Sequence, residues 1–339
     1  MILYAGNILS KHGFTPTVIE SLTPKLRERY DIISVSDKKN QILRMLDMIY
    51  GFLKYRKKLS VVLIDSYSMK AFWFTYILAI LCKNFNIPYI PILHGGGYPD
   101  RFKSSPEKCN LIFRNSYRIV SPSLYLKEFF EGKGFEVTYI PNFIHINNYR
   151  FKKRDSAGAN ILWVRSFHET YNPMLAVEIL KELVKKYPDA KLCMIGPEKD
   201  DTLNEVKKAS VKYKLNGSLI ITGKLTRKEW TDKSADYDIF INTTNYDNQP
   251  VSVIEAMALG FPIVSTNVGG IPFLITDKKD GLLVPPENKE RFIEEIEKLI
   301  SDDKLVSEIS SNARKKAEEL DWEQVKYKWF EILDPAVKI

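Results

Sequence analysis

Residues 247–270 read DNQPVSVIEAMALGFPIVSTNVGG and hold the start of a helix, a strand and a Gly-Gly turn in close succession. Pro250 suits the first position of a helix, because its ring presets φ and its missing N–H would have had no partner inside the helix. The N–H groups of Val251 and Ser252 are then donors at a helix N-terminus, which carries partial positive charge and suits a phosphate. Glu255 follows about one turn further on, and Asp247 stands in the loop before it. Two acidic acceptors beside an anion-binding terminus suit a ligand that combines hydroxyls with phosphates, and a sugar nucleotide is such a ligand. The run PIVSTN and the pair Gly269-Gly270 then give a strand and a turn, so the stretch is one helix–strand unit of an α/β protein.

The same alternation extends in both directions. Short apolar runs at 2–6, 31–36, 61–66, 89–95, 118–123 and 137–142 predict six strands in the first half. Runs at 160–165, 191–196, 218–223, 237–244, 262–267 and 281–286 predict six in the second. Helical patterns separate them, which argues for parallel sheets covered by helices, in two doubly wound domains in tandem. The segment 143–159 carries no apolar period and reads as a linker. The expected division is therefore 1–150, 151–320 and a terminal aromatic helix at 321–339 that Asp321 could cap. At 339 residues two domains are the natural prior. A ligand of such folds binds outside the carboxyl ends of the strands, at the cleft.

The 247–270 stretch resembles the signature of retaining GT-B glycosyltransferases of group 1, in which Glu-x7-Glu precedes an Ala-rich helix, a Gly, a Pro-led strand and Gly-Gly. Asp247 stands where the first Glu is usual, while Glu255, Ala256, Ala258, Gly260, Pro262, Gly269 and Gly270 match. The resemblance implies a GT-B fold, with two Rossmann-like domains facing a cleft and a C-terminal helix that crosses back to the first. It implies that Asp247 contacts hydroxyls of a donor sugar, that Glu255 contacts the nucleotide ribose, and that Gln249, Pro250, Val251 and Ser252 help hold the donor. A nucleotide-sugar donor is implied, with a UDP-sugar expected, and a glycan or lipid-linked glycan as acceptor. No separate cofactor or metal is expected.

Further candidates lie at strand ends. Arg165, in WVRSFHETYNP, can hold a diphosphate through parallel hydrogen bonds and stabilise charge on the leaving group. The resembling enzymes add a Lys five or six residues later; here Thr170 and Tyr171 occupy those places. Lys224 or Lys11 is a candidate substitute. His94, in ILHGGGYPD, could donate to a sugar hydroxyl. Gly6 and Gly13 bracket the loop that in related enzymes lies over the donor diphosphate, and Lys224 with Leu225 matches the nucleotide-base pocket. The loop after the first strand is not a G-x-G-x-x-G fingerprint, which disfavours a nicotinamide enzyme.

With 45% apolar and 27% charged residues the composition is that of a globular protein. Cys82, Cys109 and Cys193 lack metal-ligand spacing and read as reduced, buried thiols, and the four histidines show no such spacing either. The N-terminal ILYAG has no basic region or long apolar core, so a cytoplasmic protein is expected, at the inner face of a membrane or free of it. Residues 1–150 hold 21 basic and 11 acidic side chains, net +10, which points to an anionic partner. Part of that excess, Lys54, Arg56, Lys57 and Lys58, ends a helical pattern containing Leu43, Leu46, Ile49, Tyr50 and Leu53. A solvated helix end and an anionic lipid contact both fit it; nucleic acid is disfavoured, since no recognition motif accompanies the charge. Two other readings remain open beside the transferase: a sugar-nucleotide epimerase or phosphorylase on the same fold, and a non-catalytic partner subunit.

Overall fold

Each predicted strand is a run of Val, Ile, Leu or aromatic residues apolar on both faces, as strands of a covered parallel sheet must be. All twelve form. The computed structural model describes residues 1–14 and 16–338. The first sheet comprises β1 (Ile2–Ala5), β2 (Ile32–Val35), β3 (Val61–Tyr67), β4 (Tyr89–His94), β5 (Ile119–Ser121) and β6 (Val137–Tyr139), in the order β2-β1-β3-β4-β5-β6. The second comprises β7 (Asn160–Val164), β8 (Lys191–Ile195), β9 (Leu219–Gly223), β10 (Ile239–Asn242), β11 (Ile263–Thr266) and β12 (Leu282–Val284), in the order β12-β11-β10-β7-β8-β9. Every pairing is parallel. In the second sheet the strand order reverses between β7 and β10, and in doubly wound sheets ligands bind at the carboxyl ends of the strands at such a reversal.

The chain divides into one unit of residues 1–142 with the chain from Val325 onward, and a second unit, Phe143–Gln324. The expected boundary at 150 therefore falls earlier, and the expected linker is part of the second unit. Its Ile144 and Tyr149 are buried in that unit's core. Arg154, 3% exposed, donates to the carbonyls of Lys152, Tyr237 and Leu259 and lies 3.5 Å from the centroid of Phe261. Burial pulls its guanidinium down to about 10. The segment lacks an apolar period because single anchors hold it, rather than one face of a helix or strand.

The last helix, Trp322–Lys338, begins in the second unit and belongs to the first from Val325. The Asp321 carboxylate, expected as its cap, accepts from the N–H of Ile146. Trp322 and Trp329 are buried, whereas Tyr327 is exposed. Asp334 holds Arg29 through two hydrogen bonds of 3.1 and 2.7 Å and accepts a third from Tyr30. The three cysteines are buried and unpaired; burial pushes the Cys109 thiol up to about 12. Among the described residues no helix is long and apolar enough to cross a membrane.

Candidate functional site

In the second unit β7 and β10 are adjacent and parallel, so Arg165, one residue past β7, and the loop after β10 emerge side by side. The Arg165 guanidinium pairs with the Asp247 carboxylate and donates from Nε to Asn242 Oδ1 at 3.3 Å. Its side chain is 12% exposed and that of Asp247 14%. The two residues proposed from sequence for separate parts of a donor thus form one ion pair. Asn242 is held in turn by donating to Ser265 Oγ at 2.9 Å. Tyr171 stands where the resembling enzymes carry a second cation, and its ring centroid lies 4.7 Å from the Arg165 guanidinium carbon. That face-on contact braces Arg165 but adds no charge. Two of the five guanidinium N–H donors are engaged in hydrogen bonds among the described residues, so the others can reach a ligand.

Burial pushes the Asp247 carboxyl above the usual carboxylate range, against the charge of Arg165 and the N–H of Asn248. The Gly-Gly pair holds this loop in place. Gly270 donates its N–H to the Asp247 carbonyl at 3.0 Å. A Cβ on Gly270 would stand 1.6 Å from the Asn248 carbonyl oxygen, and one on Gly269, where φ is +53°, would stand 2.1 Å from that of Asp247. The glycines twenty-odd residues downstream are therefore what lets the Asp247 loop lie where it does.

Pro250 is the N-cap rather than the first helical residue: its ψ of 117° is extended, and the helix runs Val251–Ala258. Its carbonyl accepts from Val253 and Ile254, so it still begins the helix. Ser252 Oγ is buried with no hydrogen-bond partner among the described residues, an uncommon condition for a hydroxyl. Asn248 and Gln249 are buried in the turn before it.

Glu255 is less open than its sequence context suggests. It is 7% exposed; Tyr149 donates to its Oε1 at 2.6 Å, and Arg227 Nε lies 3.2 Å from the same oxygen. Burial pushes its carboxyl up, against the Tyr149 hydrogen bond and the Arg227 charge. Both contacts fall on Oε1. Tyr149 and Arg227 escaped the sequence reading, since neither belongs to the motif and one lies in the segment read as linker.

Lys224 and Leu225 follow β9, Lys224 exposed and Leu225 half-buried against the core. Lys199, in the loop after β8, is pushed below its ordinary range by burial and then by the charge of Lys224. Two lysines therefore stand near each other at the carboxyl ends of adjacent strands. Lys11, the other candidate substitute, forms an ion pair with Asp37 in the first unit.

In the first unit His94 ends β4, buried, with Nε2 2.8 Å from Asp65 Oδ1. Tyr4 donates to the same oxygen at 2.8 Å, and burial, then Asp65, raises the Tyr4 hydroxyl well above its ordinary range. Asp65 Oδ2 is buried without a partner among the described residues. Gly6 is explained by this carboxylate, since a Cβ there would lie 2.4 Å from Asp65 Oδ2. Gly13 closes a short 3-10 turn at φ +86°. Asp65 was missed in the sequence, although a carboxylate inside the apolar run VVLIDS is a signal of its own.

The model of the family described as glycosyl transferases group 1 matches residues 146–316, half of the chain. Sulfoquinovosyl transferase SQD2 of Arabidopsis thaliana is 29% identical over 152 residues, covering 43% of this chain and 28% of that protein. An uncharacterized glycosyltransferase of Methanocaldococcus jannaschii is 25% identical over 313 residues, covering 84% of this chain and 77% of that protein. The chain spans less than half the length of several such relatives. Among solved structures, HepE of Anabaena in complex with UDP superposes with a TM-score of 0.77 at 16% identity, covering 98% of this chain and 99% of that one. Sucrose-phosphate synthase of Thermosynechococcus elongatus gives 0.81 at 14% identity, covering 98% of each. At such identities the likeness establishes a shared fold, GT-B.

Proposed function

The chain belongs to the glycosyl transferases group 1 family, and on that premise we propose that it moves a sugar from a nucleotide donor to a glycan or lipid-linked glycan, with retention and without a metal. The observation that carries this reading is the part-buried Arg165–Asp247 pair beside the helix N-terminus at Val251, with buried Glu255 one turn further on. Glu255 accepts from the ribose; Asp247 accepts from a sugar hydroxyl. Gln249, Pro250, Val251 and Ser252 shape the turn that meets the diphosphate, and Lys224 and Leu225 face the base. Uridine is the proposed base, supported by the UDP complexes of HepE. Gly6, Gly13 and His94 are the first unit's candidate donor contacts, each proposed on resemblance and position alone.

The acceptor oxygen attacks the anomeric carbon from the side on which the diphosphate departs. The bond from that carbon to the phosphate oxygen breaks as the new one forms, and the departing oxygen takes the acceptor's proton. Arg165 and the helix terminus stabilise the charge that develops on the leaving phosphate. Catalysis then rests on positioning and electrostatics, with no protein nucleophile.

A second reading, a non-catalytic subunit that binds the same ligand, is favoured by Tyr171 in place of a cation. Incubation with UDP-sugars distinguishes the two. Calorimetric binding of UDP together with slow hydrolysis of a UDP-sugar supports the enzyme. Binding without any turnover, with acceptors supplied, supports the subunit, and failure to bind any nucleotide sinks both.

A further inference from the structure

The helix Gln41–Tyr55 of the first unit is apolar on two opposite faces. At about 100° per residue, its buried residues Arg44, Met48, Gly51 and Phe52 fall within one arc. Ile42, Leu43, Leu46, Tyr50 and Leu53 fall within a similar arc on the opposite side, and they are 72, 56, 56, 62 and 37% exposed. The sequence pattern had marked mostly this second set, and it turns out to be the solvent face. Arg44 is turned inward, donating to Asn7 Oδ1 and to the carbonyls of Lys38 and Lys39. A surface helix ordinarily does the reverse, with charge outside and one apolar stripe inside.

The apolar arc ends in charge. Lys54, Arg56, Lys57 and Lys58 are all exposed. Beside them Phe85, 45% exposed, lies 5.8 Å from Phe52 with the Arg56 guanidinium over its ring. An exposed apolar stripe of this extent marks an interaction surface. The basic end and the excess of positive charge in residues 1–150 select an anionic occupant.

We propose that this face seats the chain on an anionic lipid surface. The helix lies in the plane of the interface, with its apolar arc at the acyl boundary and its basic end among the headgroups. An acceptor carried by a lipid would then be brought within reach, but the docking itself needs neither donor nor acceptor.

The test uses the full chain and vesicles of phosphatidylcholine alone or mixed with phosphatidylglycerol, with no sugar nucleotide, so its outcome is separate from that of the donor reading. Cosedimentation should favour the anionic vesicles and weaken as salt rises. Replacing Lys54, Arg56, Lys57 and Lys58 together by Gln should lower the bound partition at least about tenfold. The double change Leu46→Glu and Tyr50→Glu should lower it at least about tenfold as well, with unchanged melting because both side chains face water. In a separate Tyr50→Trp variant, tryptophan emission should shift to the blue on anionic vesicles alone, which reports insertion without disrupting the face. Equal recovery with and without vesicles overturns the proposal, as does undiminished binding by the Glu double variant. A concentration-dependent dimer that the Glu variant dissociates, with vesicles having no effect, would assign the face to a second copy of the chain instead.

Discussion

At the residue scale, Glu255 is a carboxyl that burial holds at a cost to stability. Glu255→Gln keeps the size of the side chain but removes a charged acceptor. A charge-assisted hydrogen bond contributes about 1.5 to 3 kcal/mol, so UDP affinity should fall at least about tenfold by calorimetry. Because burial raises the folded carboxyl, its contribution to stability is present below the ordinary carboxylate range and is lost as pH rises through the raised value. The Gln variant should therefore melt no lower than the parent at neutral pH. Wild-type nucleotide affinity should decline on acidification before exposed carboxylates titrate. Arg165→Ala should lower transfer about a hundredfold or more through loss of leaving-group stabilisation. Normal turnover in a variant that only melts earlier would make Arg165 a structural partner of Asp247. Asp65 is expected to set the tautomer of His94, since a carboxylate only accepts and so favours the proton on Nε2. In Asp65→Asn the amide can also donate, so nitrogen NMR of the His94 ring should show Nδ1–H tautomer appearing; an unchanged tautomer would remove that role.

At the scale of elements, the site depends on one loop braced from a distance. Gly270→Ala has no room beside the Asn248 carbonyl, so the loop carrying Asp247 must shift. Since such loops position charge to within fractions of an ångström, donor binding should weaken more than about tenfold while β10 and β11 remain paired. Calorimetry against UDP, with circular dichroism to follow the fold, checks both halves. The motif predicted these glycines by pattern, but their reason lay in a carbonyl more than twenty positions upstream, which no local propensity encodes. The strands were legible for the opposite reason. Each is a short apolar run closed by a polar residue or Gly, and a buried parallel strand needs nothing beyond that.

At the scale of the molecule, the proposed chemistry places phosphate charge on Arg165 and a helix terminus. Transfer should therefore survive strong chelation. A strict requirement for an added divalent ion, not traceable to the acceptor, would contradict the mechanism. Among the described residues no group of three or more His, Cys, Asp or Glu side chains could hold such an ion.

The α/β class, the tandem sheets and the family were legible in the sequence, because period, capping and motif spacing are local quantities. Which groups meet was a matter of the folded chain. It paired Arg165 with Asp247, set Tyr171 under the guanidinium, brought Tyr149 and Arg227 to Glu255, and placed Asp65 beneath His94 and against Gly6. It also turned the apolar arc of the helix Gln41–Tyr55 outward and drew the aperiodic segment after Asn142 into the second core. The physical reason is common to all of these. Burial and pairing depend on what the neighbouring strand or helix presents, and a side chain's own sequence neighbourhood does not contain that information.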